Sequence, residues 1–290
     1  MSQVKFSIVI PVYSELDNIQ GGASSQRHFR GKTVQRAIKS IRNQQFTDWE
    51  LILVDDGCCD KITPDILDRF AEHDERIKVL HIENGNRAIA RNRGMDAATG
   101  EWICWLDSDD EYSTHYLREL NQATKDFPEY SIFNFGSLLY WPDHRSTTRE
   151  TYHPKIEGEG HEWFRSGHIG CGSFIFKREL WKSKPEYRIP DEANPYQFAA
   201  DSLFPWKLNK LEDEWKYDNT ENPEDMFQDG VKRHGSSLGN PWGDDFLQFY
   251  RLTRDNHSKP LDVLLYIQYP RAHEEVYTQF GEIFDTGVEG

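Results

Sequence analysis

The segment Asp107-Ser108-Asp109-Asp110 places three carboxylates within four residues. In an extended chain Asp107 and Asp109 point the same way. Carboxylates that close repel each other unless a positive charge sits between them. A hard divalent cation that bridges to phosphate oxygens is the usual solution. A solvated acidic turn would show the same spacing, and so acidic a chain contains such spacings by chance. What favours the cation is the apolar run directly before the cluster, residues 102–106 (Trp-Ile-Cys-Trp-Leu).

Three further features could act with it. Asp55-Asp56-Gly57 closes the apolar run 49–54, and a carboxylate there can accept the N3–H of a uracil or bond a ribose hydroxyl; an ordinary Asp-Gly turn is the alternative. Arg87 and Arg91 are four apart and so share a helix face, where they could meet a phosphate; Arg93 is expected to pair with surface acids. Asp201 lies among Ala199, Ala200, Leu203 and Phe204. Poor solvation raises a carboxylate's pKa and suits it to general-base work, although a helix cap beside Ser202 fits equally well.

These groups need elements to hold them. Residues 4–12 form a continuous β-branched run, as in a strand buried on both faces. Residues 49–54, 77–82 and 102–106 repeat the pattern. Between them, residues 33–44, 64–72 and 88–98 have helical spacing, with Thr33 as a cap for the first and Pro64 in the first turn of the second; residues 116–125 add a fourth helix. Strand and helix alternation predicts a parallel sheet covered on both faces, whose ligands sit at the carboxyl ends of the strands. The polar clusters 13–18, 55–57 and 107–110 all fall at such ends. Beyond about residue 130 the alternation weakens. Residues 130–140 and 173–176 read as strands, 207–240 as irregular, and 242–253 and 261–269 as helices; the conformations of 21–31 and 140–166 are not legible.

The 290 residues suffice for one large domain or two small ones. Lys and Arg total 34 against 49 Asp and Glu, a formal charge of −15, which argues against a nucleic-acid binder. Mean hydropathy is low at −0.78, yet 13% aromatic content with 9 Trp separates the chain from disordered acidic sequences. Most individual Trp are expected in the core. No stretch approaches the ~20 apolar residues of a transmembrane helix, and no signal-peptide pattern is visible. The 4 Cys include the adjacent Cys58 and Cys59, a poor disulfide framework, so reduced thiols and a cytoplasmic location, at most peripheral to a membrane, are expected.

Four segments taken together resemble the inverting glycosyltransferases of family 2: SIVIPVYSELDNI (7–19), ELILVDDGCCD (50–60), ARNRGMDAATGEWICWLDSDDEY (90–112) and FAADSLFPWKL (198–208). The resemblance is strong over the first 115 residues or so and weaker to about residue 240. It implies an α/β fold of the GT-A type, a Rossmann-like, mostly parallel sheet flanked by helices, with a helical and irregular extension at 206–290. Within the catalytic domain, 1–205, residues 1–112 would bind the nucleotide sugar and 113–205 the acceptor. By that likeness Pro11, Tyr13 and Glu15 line the nucleotide pocket, Asp56 bonds the base with Asp55 nearby, and Arg91 lies near the base or diphosphate. Asp107 and Asp109, with Asp110 completing the acidic edge, hold Mn²⁺ or Mg²⁺ and a ribose hydroxyl. Gly172 and Ser173 match the segment lining the sugar and acceptor cleft, Asp201 the catalytic base, and His234 a late position near the metal or diphosphate.

The implied activity is metal-dependent, inverting transfer of a sugar from a nucleoside diphosphate donor, with a UDP-sugar favoured, to a hydroxyl of a glycan, lipid-linked or protein acceptor. The chain departs from the family pattern in about ten extra residues at 21–31, in Cys58-Cys59 where Ser-Thr is usual, in Asn86 where Gly is common, and in Ala200 where Glu is usual. If the alignment is shifted, the base falls to Asp191 or Glu192. A nucleotidyltransferase would need a Gly-rich basic loop after the first strand, where Pro11-Val12-Tyr13-Ser14-Glu15 stands instead; a non-catalytic nucleotide- or glycan-binding module is disfavoured by intact Asp107, Asp109 and Asp201.

Overall fold

The computed structural model describes residues 4–14, 30–85, 87–142, 147–152, 172–184, 248, 252 and 256–269. The expected alternation is present: β1 (Phe6–Val12), α1 (Gly31–Arg42), β2 (Trp49–Asp55), α2 (Ile62–His73), β3 (Ile77–His81), α3 (Arg87–Ala97) and β4 (Trp102–Trp105). After it come β5 (Glu111–Tyr112), α4 (Tyr116–Asp126), β6 (Ile132–Pro142), β7 (Thr147–Tyr152), β8 (Phe174–Lys177), α5 (Arg178–Ser183) and β9 (Ser258–Gln268).

The nine strands among the described residues join one sheet in the order β3-β2-β1-β4-β8-β6-β9-β5, with β7 paired to β6. The first four are parallel, and β8 then runs antiparallel to β4. Strand order reverses between β1 and β4, and a crevice opens at such a reversal. β1 buries both faces, which explains its unbroken apolar run. Ile8, Ile10 and Val12 pack with Val34 and Ile38 of α1 and Leu67 of α2, while Val9 faces Ala90 and Met95 of α3. Gly94 lets α3 come close, since a Cβ there would collide with Val9 Cγ1. Trp49, Trp102, Trp105 and Trp181 are buried, as expected for core tryptophans.

The start of α1 differs from expectation. The helix begins at Gly31, its N-cap is Arg30 without a side-chain cap bond, and Thr33 Oγ1 donates instead to the Arg30 carbonyl, 3.3 Å away. The cap fails because Thr33 is already inside the first turn. The helix expected at 261–269 is a strand. Leu261, Val263 and Leu265 alternate into the core while Asp262 is exposed, a period of two; the segment lies parallel to β6 and antiparallel to β5. Part of the expected C-terminal extension is therefore inside the sheet. Of the helix expected at 242–253, Gln248 and Leu252 are described, and both are helical and buried. β7 falls in the stretch whose conformation was not legible from sequence.

At the opposite end of the sheet from the strands' carboxyl termini, Glu50 is buried. Its Oε1 accepts from Ser7 Oγ (2.6 Å), Thr99 N–H (2.6 Å) and Thr99 Oγ1 (2.7 Å), and its Oε2 accepts from Lys78 (2.8 Å). Burial alone would raise its pKa, but the bonds from Lys78, Ser7 and Thr99 together outweigh it and hold the carboxyl at about 2. This network ties β1, β2 and β3 to the turn before β4.

Candidate active site

β4 delivers the acidic cluster. Leu106 N–H still bonds Val9 O at 2.9 Å, and the chain then leaves the sheet beside the end of β1. Oxygens of Asp107, Asp109 and Asp110 lie within 4.8 Å of one another. Asp107 accepts from Arg91 Nη2 at 2.8 Å. The Arg91 side chain is buried and its guanidinium stands 5.1 Å from the Trp105 ring centre. Arg87 and Arg93 are exposed, whereas Arg91 is buried against the cluster.

Asp109 carries two arginines. Arg30 Nη1 is 3.4 Å from its Oδ2, and Arg36 Nη2 donates to its backbone carbonyl. Arg36 also pairs with Glu111 at 3.1 Å and stacks 3.8 Å from the Tyr269 ring centre. Asp110 points inward and is buried. Tyr266 Oη donates to its Oδ2, and Tyr269 N–H to its Oδ1 at 2.8 Å. Burial first, then the charges of Asp109 and Asp107, push the Asp110 carboxyl well above the usual carboxylate range, against the pull of the two tyrosine bonds. Nothing in the sequence spacing announces Arg30 or Arg36. Nor does it announce Tyr266, whose neighbours Leu264 and Leu265 blur the alternation that begins at Leu261.

The end of β2 is tightly built. Asp55 Oδ1 accepts Cys58 N–H at 2.9 Å and its Oδ2 meets His81 Nδ1 at 2.7 Å; His81 Nε2 is 3.1 Å from Asp68. The Asp55 bond chiefly, with Asp68, raises the His81 pKa against partial burial. Asp56 is 2% exposed, its Oδ1 accepting Gly85 N–H at 2.8 Å and its carbonyl Asn84 Nδ2 at 2.9 Å. The Asp-Gly turn is thus realised structurally, and any ligand of Asp56 would share its carboxylate with Gly85. Pro11 and Tyr13 are partly buried; Tyr13 Oη lies 3.9 Å from Cys59 Sγ. Ser14 links three segments, accepting Arg30 N–H on Oγ (2.9 Å) and Cys59 N–H on its carbonyl (2.9 Å).

Gly172 adopts φ +75°, and a Cβ there would lie 2.7 Å from Trp105 O, so only glycine fits against the end of β4. Tyr112 Oη stands within bonding distance of both Trp105 O (2.6 Å) and Gly172 O (3.0 Å). Ser173 is buried, and its carbonyl accepts Phe135 N–H at 3.0 Å. The structure therefore brings Arg91, Asp107, Asp109, Asp110 and the Gly172 turn together at the β1/β4 edge, with Asp55 and Asp56 on the neighbouring strand. Glu15, Asp201 and His234, with Asp191 and Glu192, lie outside the described residues.

The chain is similar to known proteins in sequence and fold. The description "Glycosyl transferase family 2" matches residues 7–182. The putative glycosyltransferase EpsH of Bacillus subtilis (strain 168) is 36% identical over 104 residues, 36% of this chain and 30% of EpsH. The uncharacterized glycosyltransferase EpsJ of the same organism is 34% identical over 216 residues, 67% of this chain and 59% of EpsJ. The chain thus spans less than two thirds of the length of either relative. Among solved structures, residues 1–349 of S. aureus TarS superpose with a TM-score of 0.56 at 16% identity, covering 94% of this chain and 62% of that one; the same protein in complex with UDP-GlcNAc gives 0.55 at 15% identity, covering 92% and 58%. The likeness to TarS shows a GT-A fold, and the match over residues 7–182 places this chain in glycosyl transferase family 2.

Proposed function

We propose that this chain transfers a sugar from a nucleoside diphosphate sugar, with a UDP-sugar favoured, to an acceptor hydroxyl, with inversion at the anomeric carbon. The observation that carries the reading is the convergence of Asp107, Asp109 and Asp110, oxygens within 4.8 Å, at the strand-order reversal where a family 2 chain would hold its donor. TarS, which has the same fold, has been solved with UDP-GlcNAc and with UDP, and this supports a uridine donor.

The donor set suits a hard divalent cation. It is all carboxylate oxygen, and Asp107 and Asp109 are only partly buried and so within a ligand's reach. Asp107 and Asp109 would hold Mn²⁺ or Mg²⁺, with Asp110 behind them and His234 as a further candidate. When bound, such an ion supplies positive charge to a departing diphosphate. The chain's own residues do the rest. Arg91 orients Asp107 and adds a cation close by. Asp56 offers an acceptor to a base N3–H, with Asp55 fixing its turn and Pro11, Tyr13 and Glu15 along the nucleotide. Gly172 and Ser173 border the sugar and acceptor cleft, and Asp201 takes the proton of the attacking hydroxyl. The acceptor is a glycan, a lipid-linked sugar or a protein. Among the described residues no helix is long and apolar enough to cross a membrane.

Turnover with a panel of sugar nucleotides and simple glycan acceptors, in Mn²⁺, in Mg²⁺ and in excess chelator, tests this reading. Transfer with an inverted product, lost in chelator, is the expected result; release of pyrophosphate from a nucleoside triphosphate and a sugar phosphate would replace it with a nucleotidyltransferase.

A further inference from the structure

Arg30 lies against the acidic cluster although nothing in its spacing ties it to the site. Its backbone is fixed on both sides: the N–H donates to Ser14 Oγ at 2.9 Å, and the carbonyl accepts Val34 N–H at 2.9 Å. Its side chain is 11% exposed and reaches Asp109, whose side chain is 13% exposed, with Nη1 3.4 Å from Oδ2. That carboxylate is one of the two most accessible to a divalent ion. The other, Asp107, is held by Arg91, which is more deeply buried beside the Trp105 ring. Arg36 addresses the Asp109 carbonyl and Glu111. Arg30 thus reaches the Asp109 carboxylate itself.

A guanidinium and a divalent cation repel each other across so short a distance, and a shared carboxylate oxygen cannot serve both at full strength. A guanidinium is also the side chain best matched to phosphate oxygens. We propose that Arg30 is an exchangeable cation. It neutralises Asp109 while no divalent ion is bound, and it passes to the donor's diphosphate when Asp109 takes the ion. This rests on the divalent-ion reading given under the proposed function. It makes Arg30 a diphosphate-binding residue that also sets how weakly the ion binds in the absence of nucleotide.

The exchange predicts effects of opposite sign in one variant. Arg30→Gln removes the competing cation, so Mn²⁺ alone, titrated by electron paramagnetic resonance, should bind several-fold more tightly than to wild type. UDP titrated calorimetrically at saturating Mn²⁺ should bind roughly tenfold more weakly, the loss expected for one charge-assisted bond. Arg30→Lys keeps the charge and should recover most of the UDP affinity while leaving Mn²⁺ binding weak. A residue with a purely structural role would weaken both ligands or neither. Mn²⁺ binding to Arg30→Gln no tighter than to wild type, or UDP affinity equal to wild type, overturns the exchange. If wild type binds UDP equally well in Mn²⁺ and in chelator, the divalent-ion reading itself falls and takes the exchange with it. That failure shows in the wild-type protein alone and is thereby distinguished.

Discussion

The Tyr266 hydroxyl donates to the Asp110 carboxylate across 156 positions of sequence. Through it β9 closes the acidic turn from the far side of the sheet, while Tyr112, stacked 3.6 Å from Tyr116 and tilted 5.8 Å from Tyr266, fills the space beneath. Tyr266→Phe keeps the ring and removes the donor. A buried carboxylate left short of a partner costs about 1–3 kcal/mol. The variant should melt at a lower temperature and bind UDP with Mn²⁺ several-fold more weakly. Wild-type values in both calorimetric measurements would show that β9 does not support the turn.

Asp56 has two tasks in this account, accepting Gly85 N–H and accepting a base N3–H. Asp56→Asn retains an oxygen for Gly85 but has lost the charge and half of its acceptors. Stability in denaturant should change little, while UDP affinity falls about tenfold. Equal UDP affinity would confine Asp56 to the turn.

His81 makes stability depend on pH. Its pKa in the folded protein is raised above the ordinary 6.5, chiefly by the Asp55 bond. The protonated form is therefore favoured by folding. Its contribution is complete below the unfolded value and is lost as pH rises through the folded one. Compared with His81→Gln, wild type should lose melting temperature as pH rises above the ordinary histidine value of about 6.5. Parallel melting curves for the two proteins across that range would contradict the pairing. Half-exposure of the imidazole keeps the effect small.

If Asp201 is the base, Asp201→Asn should bind UDP as wild type does, while turnover at saturation falls by roughly 10²–10⁴. The acidic limb of the pH–rate profile should vanish with it. Lost donor affinity with unchanged turnover would move the base to Asp191 or Glu192.

The parallel half of the sheet was legible because its physics is local. Strands β1, β2 and β4 are buried on both faces and read as unbroken apolar runs, and their helices carry clean helical spacing. The proximity of Asp107, Asp109 and Arg91 was legible for the same reason, since each sits at or next to such an element. β9 was misread because Leu264, Leu265 and Tyr266 sit side by side, so its alternation is blurred and a helical period also fits. What makes it a strand is the open edge of β6, which no window of its own sequence contains. Arg30 and Tyr266 reach the site through tertiary placement, from the start of α1 and from a strand more than 150 residues beyond the acidic turn, and spacing rules do not see that far.

In the proposed function Asp107 and Asp109 bind a nucleoside diphosphate through a divalent ion. Calorimetric titration of UDP into wild type and Asp109→Asn, each with Mn²⁺ and with excess chelator, tests it most directly. Wild type should bind UDP at least tenfold more tightly with Mn²⁺ than with chelator, and Asp109→Asn should show no such difference while remaining folded. Equal affinity in all four titrations, or full Mn²⁺ dependence retained in Asp109→Asn, would contradict it.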